Sequence, residues 1–278
     1  MKWNIVTDSS CDLFPEEYEN GEVGLSSVPF VISVGDRDFK DDENLDVAEM
    51  VDAMEEYSGV SRSSCPSPDE WLKEFDKADM NIVLPISSNL SGSMNSALTA
   101  KNLALESSPE KKIAVVDSRS TGPEIAMCVE RIRDMIKSGM NFDNIVSEVQ
   151  NFFKDTHIAF ALSSFDNLVK NGRMNKIVGF IAKKLGMWGI GVGSDEGKIE
   201  IKGKVRGSVR MIGMLIEEMK EKGFDGGRVI ISHCQNSKLA EVLRDKIIST
   251  WNSADVSIMP TRGLCSFYAE REGLILSF

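Results

Sequence analysis

Histidine is nearly absent from this 278-residue chain: His157 and His233 are the only two, and they stand far apart. Two lone imidazoles argue against a zinc site, which gathers several nitrogen or sulfur ligands. The five cysteines, Cys11, Cys65, Cys128, Cys234 and Cys265, are scattered, and none forms a Cys-x-x-Cys pair. That pattern reads as reduced thiols and predicts a cytoplasmic protein. Long apolar runs are missing too. No stretch reaches the ~18 residues of a membrane span, and the opening MKWNIVTDSS lacks the charged-then-apolar order of a signal peptide. Basic residues are in deficit, with 32 Lys and Arg against 43 Asp and Glu and a net charge of -11. Nucleic-acid binding draws its affinity from clustered basic side chains, so this balance speaks against it. Nucleotide signatures are absent as well. There is no Gly-x-x-x-x-Gly-Lys-Ser/Thr, and Gly186, Gly189, Gly191 and Gly193 do not make Gly-x-Gly-x-x-Gly.

What is present is a regular alternation of strand-like and helix-like segments in a chain that is 42% hydrophobic. Residues 23–34 carry Val28, Phe30, Ile32 and Val34 at a spacing of two, which predicts one half-buried strand. Asp46 is placed to cap a helix with Val47, Met50, Val51 and Met54 on one face. Residues 81–86 form a continuous apolar run bounded by serines, the pattern of a strand buried on both faces. Helices are predicted over 123–137 and 142–154. This alternation predicts an α/β fold whose N-terminal domain, residues 1–156, holds a parallel, doubly wound sheet. The remaining residues, 157–278, predict a second α/β domain with a mixed sheet. Within it, helices are expected over 178–185 and 209–221, and a hairpin turn at Gly193-Ser-Asp-Glu-Gly197.

The polar residues concentrate where strands end. Ser87, Ser88, Ser91, Gly92 and Ser93 follow the apolar run at 81–86 and open a helix. In open α/β sheets, ligands bind beyond the carboxyl ends of strands. A helix start offers unpaired N–H groups and a partial positive charge, which attract anions, and glycine lets a ligand approach the backbone closely. The same serines also suit plain helix capping. A second cluster, Ser61-Arg-Ser-Ser-Cys-Pro-Ser-Pro68, is stiffened by its prolines and adds the hydroxyls of Ser63 and Ser64. Thr7-Asp-Ser-Ser10 and Asp117-Ser118 place acid and hydroxyl at two further strand ends. One alternative is a serine-dependent esterase or hydrolase acting on an acyl substrate, with Ser91 as nucleophile. Its context, Asn89-Leu-Ser-Gly-Ser93, lacks the Gly-x-Ser-x-Gly elbow, and neither histidine stands in a recognisable base motif.

In order along the chain, several motifs resemble those of DegV family proteins. They are Thr7-Asp-Ser-Ser-Cys-Asp-Leu13, Ser63-Ser-Cys-Pro-Ser-Pro68, Ile86-Ser-Ser-Asn-Leu-Ser-Gly-Ser93, Val116-Asp-Ser118, Asn171-Gly-Arg173, Asp195-Glu-Gly197 and Lys204-Val-Arg206. The resemblance spans roughly the whole chain. It implies a bacterial, non-catalytic carrier that holds a long-chain fatty acid between two α/β domains. It also implies presentation of that acid to a fatty acid kinase, which phosphorylates the carboxylate, and no cofactor beyond the bound acid. The family's carboxylate-binding positions fall here on Ser63, Ser91 and Gly92. Phe160, Leu162, Phe165, Phe180 and Ile181 are the expected neighbours of the acyl tail. Arg173 and Arg206 are the expected contacts to a kinase. The sequence departs from the family's pattern in four places: Ser63 stands for the usual Thr, Cys65 for Gln, the Pro before the hairpin strand at Gly186-Met-Trp-Gly-Ile190 is missing, and Tyr268-Ala-Glu-Arg-Glu-Gly273 replaces a His-x-Gly-Pro-Gly stretch. Tyr268 and Arg271 are the two candidates to replace that histidine.

Overall fold

The computed structural model describes residues 2–15, 23–174 and 186–278. Strand β1 (Trp3–Asp8) is followed by β2 (Val23–Val28), β3 (Val31–Val34) and β4 (Arg37–Lys40). Helix α1 (Val47–Glu56), strand β5 (Arg62–Ser64), helix α2 (Pro68–Phe75) and strand β6 (Met80–Leu84) come next. Helix α3 (Ser93–Ser107), strand β7 (Lys112–Val115) and helices α4 (Pro123–Lys137) and α5 (Phe142–Asp155) complete the first half. The second half runs through β8 (Ile158–Leu162), α6 (Asp166–Lys170), β9 (Met187–Gly193), β10 (Ile199–Arg206) and α7 (Ser208–Glu221). It continues through β11 (Arg228–His233), α8 (Ser237–Thr250), β12 (Asp255–Pro260), α9 (Gly263–Ala269) and β13 (Leu274–Ser277).

Three sheets form among the described residues. The first is parallel throughout, in the order β2-β1-β6-β7. Every residue of β6 is buried; its one polar residue, Asn81, donates to the Phe75 and Ala78 carbonyls at 3.2 and 3.1 Å. The second sheet is mixed, in the order β10-β9-β8-β13-β11-β12, with β11 and β12 parallel and the other neighbours antiparallel. The third is a small antiparallel sheet, β4-β3-β5, not foreseen from the sequence. Residues 23–34 therefore do not make one strand. Pro29, which has no N–H to give a ladder, sits between β2 in the first sheet and β3 in the third. The neighbouring Phe30 N–H is satisfied instead by the Ser9 hydroxyl at 3.0 Å. The helix expected over 178–185 lies outside the described residues.

Helix α4 joins the two larger sheets. Gly122 turns the chain at φ 55, and Pro123 follows at the first helical position, where its missing N–H is harmless. Ile125, Val129 and Ile132 of α4 share one core with Ile5, Ile82 and Leu84 of the first sheet and Ile230 of β11. The helix is thus apolar around much of its circumference, because it has a sheet on each side. The other face of the first sheet is covered by α2 and α3 through Trp71, Phe75, Ala97 and Ala100.

Candidate functional site

The serine-rich stretch divides by role. Ser93, the first residue of α3, donates its hydroxyl to Asp8 at 2.6 Å. The same carboxylate accepts the Ile86 N–H at 3.0 Å and two bonds from Ser10. Asp8 therefore ties the end of β1 to the end of β6 and to the start of α3. Burial raises its pKa above 3.8, and its four donors offset part of that. Ser87 donates to the Gly197 carbonyl at 2.7 Å, and Ser88 bonds Asp117. Ser88 is exposed to solvent, whereas Ser91 and Gly92 line the cavity described below. Gly92 begins α3 without any side-chain cap and is exposed, whereas Ser91 is half-buried and accepts the Ser93 N–H at 3.2 Å.

Ser63 lies on β5, opposite Ile32 of β3. Its loop is brought to the Ser91 loop by the turn after α6. Asn171 donates to the Ser61 carbonyl at 3.1 Å, Gly172 turns at φ 75, and Arg173 Nε donates to the Leu90 carbonyl at 2.9 Å. One Asn-Gly-Arg turn from the second half of the chain thus clips both serine loops.

Between these loops and the mixed sheet is a cavity of about 390 Å3, within the range of small-molecule sites. Its wall is mainly apolar. Ile158, Phe160 and Leu162 point into it from β8, joined by Ile275, Leu168, Ile86 and Leu264. The alternate β8 residues, Ala159 and Ala161, face the opposite core. Gly191 opposes Phe160 across the β8–β9 ladder, and a Cβ there would meet the Phe160 ring at 2.3 Å. From Ile158 to Leu162 the strand spans about 13 Å. Ser63, Ser91, Gly92 and Tyr268 also line this cavity, as do Arg173, Arg119 and Lys198. A smaller, polar cavity of about 200 Å3 adjoins it and shares Arg119, Ile158 and Gly193 as a wall.

Helix α9 closes the cavity on one side with Leu264, Cys265, Tyr268 and Ala269, pairs spaced by four on one helical face. Its start is held by the first half of the chain. Asp41 accepts the N–H groups of Gly263 and Leu264 at 2.8 and 2.7 Å, and Asp12 accepts that of Arg262 at 2.9 Å. Arg262, 2% exposed, donates to the Leu13 carbonyl, the Ser27 hydroxyl and the Asp41 carbonyl. At the far end of α9, Tyr268 Oη and Ser63 Oγ are 2.9 Å apart.

The residues singled out from sequence fall as follows. Ser63, Ser91, Gly92, Phe160 and Leu162 share the cavity. Phe165 stands one layer behind, fully buried, its ring edge-on to Phe160 at 6.3 Å. Phe180 and Ile181 lie outside the described residues. Arg173 is on the cavity wall, while Arg206 is exposed at the end of β10. Arg271 is turned away and pairs with Asp52 and Glu55 of α1. Neither His157 nor His233 lines the cavity, so no imidazole among the described residues is placed to activate Ser91. Sequence reasoning missed Ile275, Leu264 and Leu168, since no local period marks which apolar residues face a cavity rather than a core.

Comparison with known proteins agrees with this architecture. Residues 2–275 match the family described as "Uncharacterised protein, DegV family". The chain belongs to the DegV family. It is 40% identical over 278 residues to a DegV domain-containing protein of Streptococcus pyogenes serotype M1, covering 100% of this chain and 99% of the relative. Among solved structures it resembles the Streptococcus pneumoniae fatty acid kinase (Fak) B3 protein loaded with linoleic acid. That likeness has a TM-score of 0.96 and 38% identity, covering 100% of this chain and 99% of the other. A DegV family protein from Eubacterium eligens, loaded with heptadecanoic acid, gives a TM-score of 0.94 at 36% identity, covering 99% and 98%.

Proposed function

We propose that this protein is a carrier that binds a long-chain fatty acid in the 390 Å3 cavity and presents its carboxylate to a fatty acid kinase. In this reading the cavity lies between two lobes, residues 1–156 and 157–278, and the protein works in the cytoplasm. The observation that carries it is a mainly apolar cavity with the donors Ser63, Ser91 and Gly92 gathered on its wall. The likeness to two structures holding fatty acids supports it.

The physical division of labour is simple. The hydroxyls of Ser63 and Ser91 and the uncapped N–H groups at the start of α3 hydrogen-bond the carboxylate, with the helix dipole adding to the attraction. These bonds to a charged acceptor are stronger than neutral ones. Gly92 is exposed, so the head group stays within a partner's reach. Phe160, Leu162, Ile158 and Ile275 receive the tail. About fifteen methylenes at about 0.8 kcal/mol each give roughly 12 kcal/mol gross, and immobilising the chain takes back a large part. Arg173, beside the head group, and Arg206, on the surface, are the contacts offered to the kinase, since guanidinium forks suit phosphate. The carrier itself needs no cofactor for this role.

Mass spectrometry of denatured recombinant protein tests the reading. A stoichiometric long-chain fatty acid is expected after expression in lipid-rich medium. A protein that emerges empty, and that fails to take up palmitate afterwards, would refute it.

A further inference from the structure

The phenol of Tyr268, one of the two candidates to replace the family's histidine, lines the cavity where the proposed head group must lie. Its Oη is 2.9 Å from Ser63 Oγ, a hydrogen bond in which either oxygen can be the donor. Two hydroxyls share one proton in that bond, so the pair keeps one O–H free to donate elsewhere. Tyr268 has no other hydrogen-bond partner among the described residues, and its ring edge is fixed against Phe267 at 4.7 Å. It is half-exposed on α9, where every residue before it is buried, and it lines the same cavity as Ser63, Ser91 and Gly92. The helix that carries it is anchored at its start by Asp41 and Asp12, so the ring is not free to wander.

We infer that Tyr268 is a head-group ligand in its own right: it donates its phenolic proton to the carboxylate while accepting that of Ser63, so Ser63 acts on the carboxylate through it. This rests on the fatty-acid reading above and specifies it further. Ser63 donating to Tyr268 polarises the phenol, which then donates to the anion, so the two hydroxyls act as a short relay rather than as separate contacts. Of the cations on the wall, Arg173 has its Nε and Nη1 engaged by the Leu90 and Asn171 carbonyls, Arg119 donates to the Asp195 carbonyl, and Lys198 pairs with Glu196. The main burden on the carboxylate therefore falls on neutral donors.

Titration calorimetry of the wild type, Tyr268→Phe, Ser63→Ala and the double variant tests this, with palmitate and methyl palmitate as ligands. Tyr268→Phe is expected to weaken palmitate about ten-fold, the scale of one bond to a charged acceptor. Methyl palmitate, which offers no anion, is expected to change less than about three-fold. In the Ser63→Ala background, Tyr268→Phe is expected to weaken palmitate by a further several-fold. No further loss in that background would mean that Tyr268 only holds Ser63 in place, and the inference fails. Equal losses for both ligands would also overturn it. If the wild type binds no palmitate at all, the fatty-acid reading falls with it. A wild type that binds normally beside an unaffected Tyr268→Phe removes the tyrosine alone.

Discussion

Asp12 is fully buried, yet only one of its oxygens is bonded: Oδ1 accepts the Arg262 N–H, while Oδ2 faces Ser232 and Cys265 without closing a hydrogen bond. Burial pushes its pKa up from 3.8 to about 6. The native state then holds a proton that the unfolded chain has already released, so stability falls as pH rises from about 4 to about 6. Two pKa units correspond to about 3 kcal/mol. Denaturant melts across that range should show the decline, and Asp12→Asn, which keeps the acceptor for Arg262, should flatten it. A slope unchanged by the substitution would assign the effect to Asp8, Asp41 or Glu124, all shifted upward by burial as well. Gly191 makes a second prediction. An added methyl would meet the Phe160 ring at 2.3 Å and the Glu200 carbonyl at 2.7 Å, so the ring must swing into the cavity. Gly191→Ala should lose about 1–3 kcal/mol of stability. It should also bind shorter acids better than longer ones, as a chain-length series of affinities would reveal.

At the level of elements, α9 depends on charges outside itself. Asp41→Ala removes the acceptor for two α9 N–H groups and leaves the buried Arg262 guanidinium without its ion-pair partner. Breaking such a buried pair costs about 3–5 kcal/mol, which urea unfolding would measure. Asp41→Ala should also weaken fatty acid binding, since α9 carries four residues of the cavity wall. This helix was not legible in the sequence. Gly263-Leu-Cys-Ser-Phe-Tyr-Ala269 is short and buried almost all round, so it has no polar face to set a period. The third sheet was hidden for the opposite reason. β4 has one buried residue and β5 none, so neither shows alternation. By contrast β6, α1 and α4 were readable: a largely apolar run marks β6, the Asp46 cap and its apolar period mark α1, and Pro123 ahead of an apolar period marks α4. The two serine loops were readable as polar clusters, but their meeting was not. It depends on Asn171 and Arg173, which are more than 80 residues from either loop's start.

Over the whole molecule, the β9–β10 turn reaches across to the loops of the first sheet. Its three successive carbonyls, from Asp195, Glu196 and Gly197, accept bonds from Arg119, Asn89 and Ser87. Gly197 is turned at φ 75 so tightly that a Cβ would strike Ser87 Oγ at 2.4 Å. Gly197→Ala should therefore loosen this contact and speed fatty acid release, measurable by transfer of a fluorescent acid to vesicles. Helix α4, lodged between both large sheets, sets a different limit. With each sheet seated against that rod, the halves have no free axis to pivot on, and cargo must pass through gaps in the rim. Small-angle scattering curves of empty and loaded protein should then superimpose, in contrast to the contraction seen when a jaw shuts on its prey.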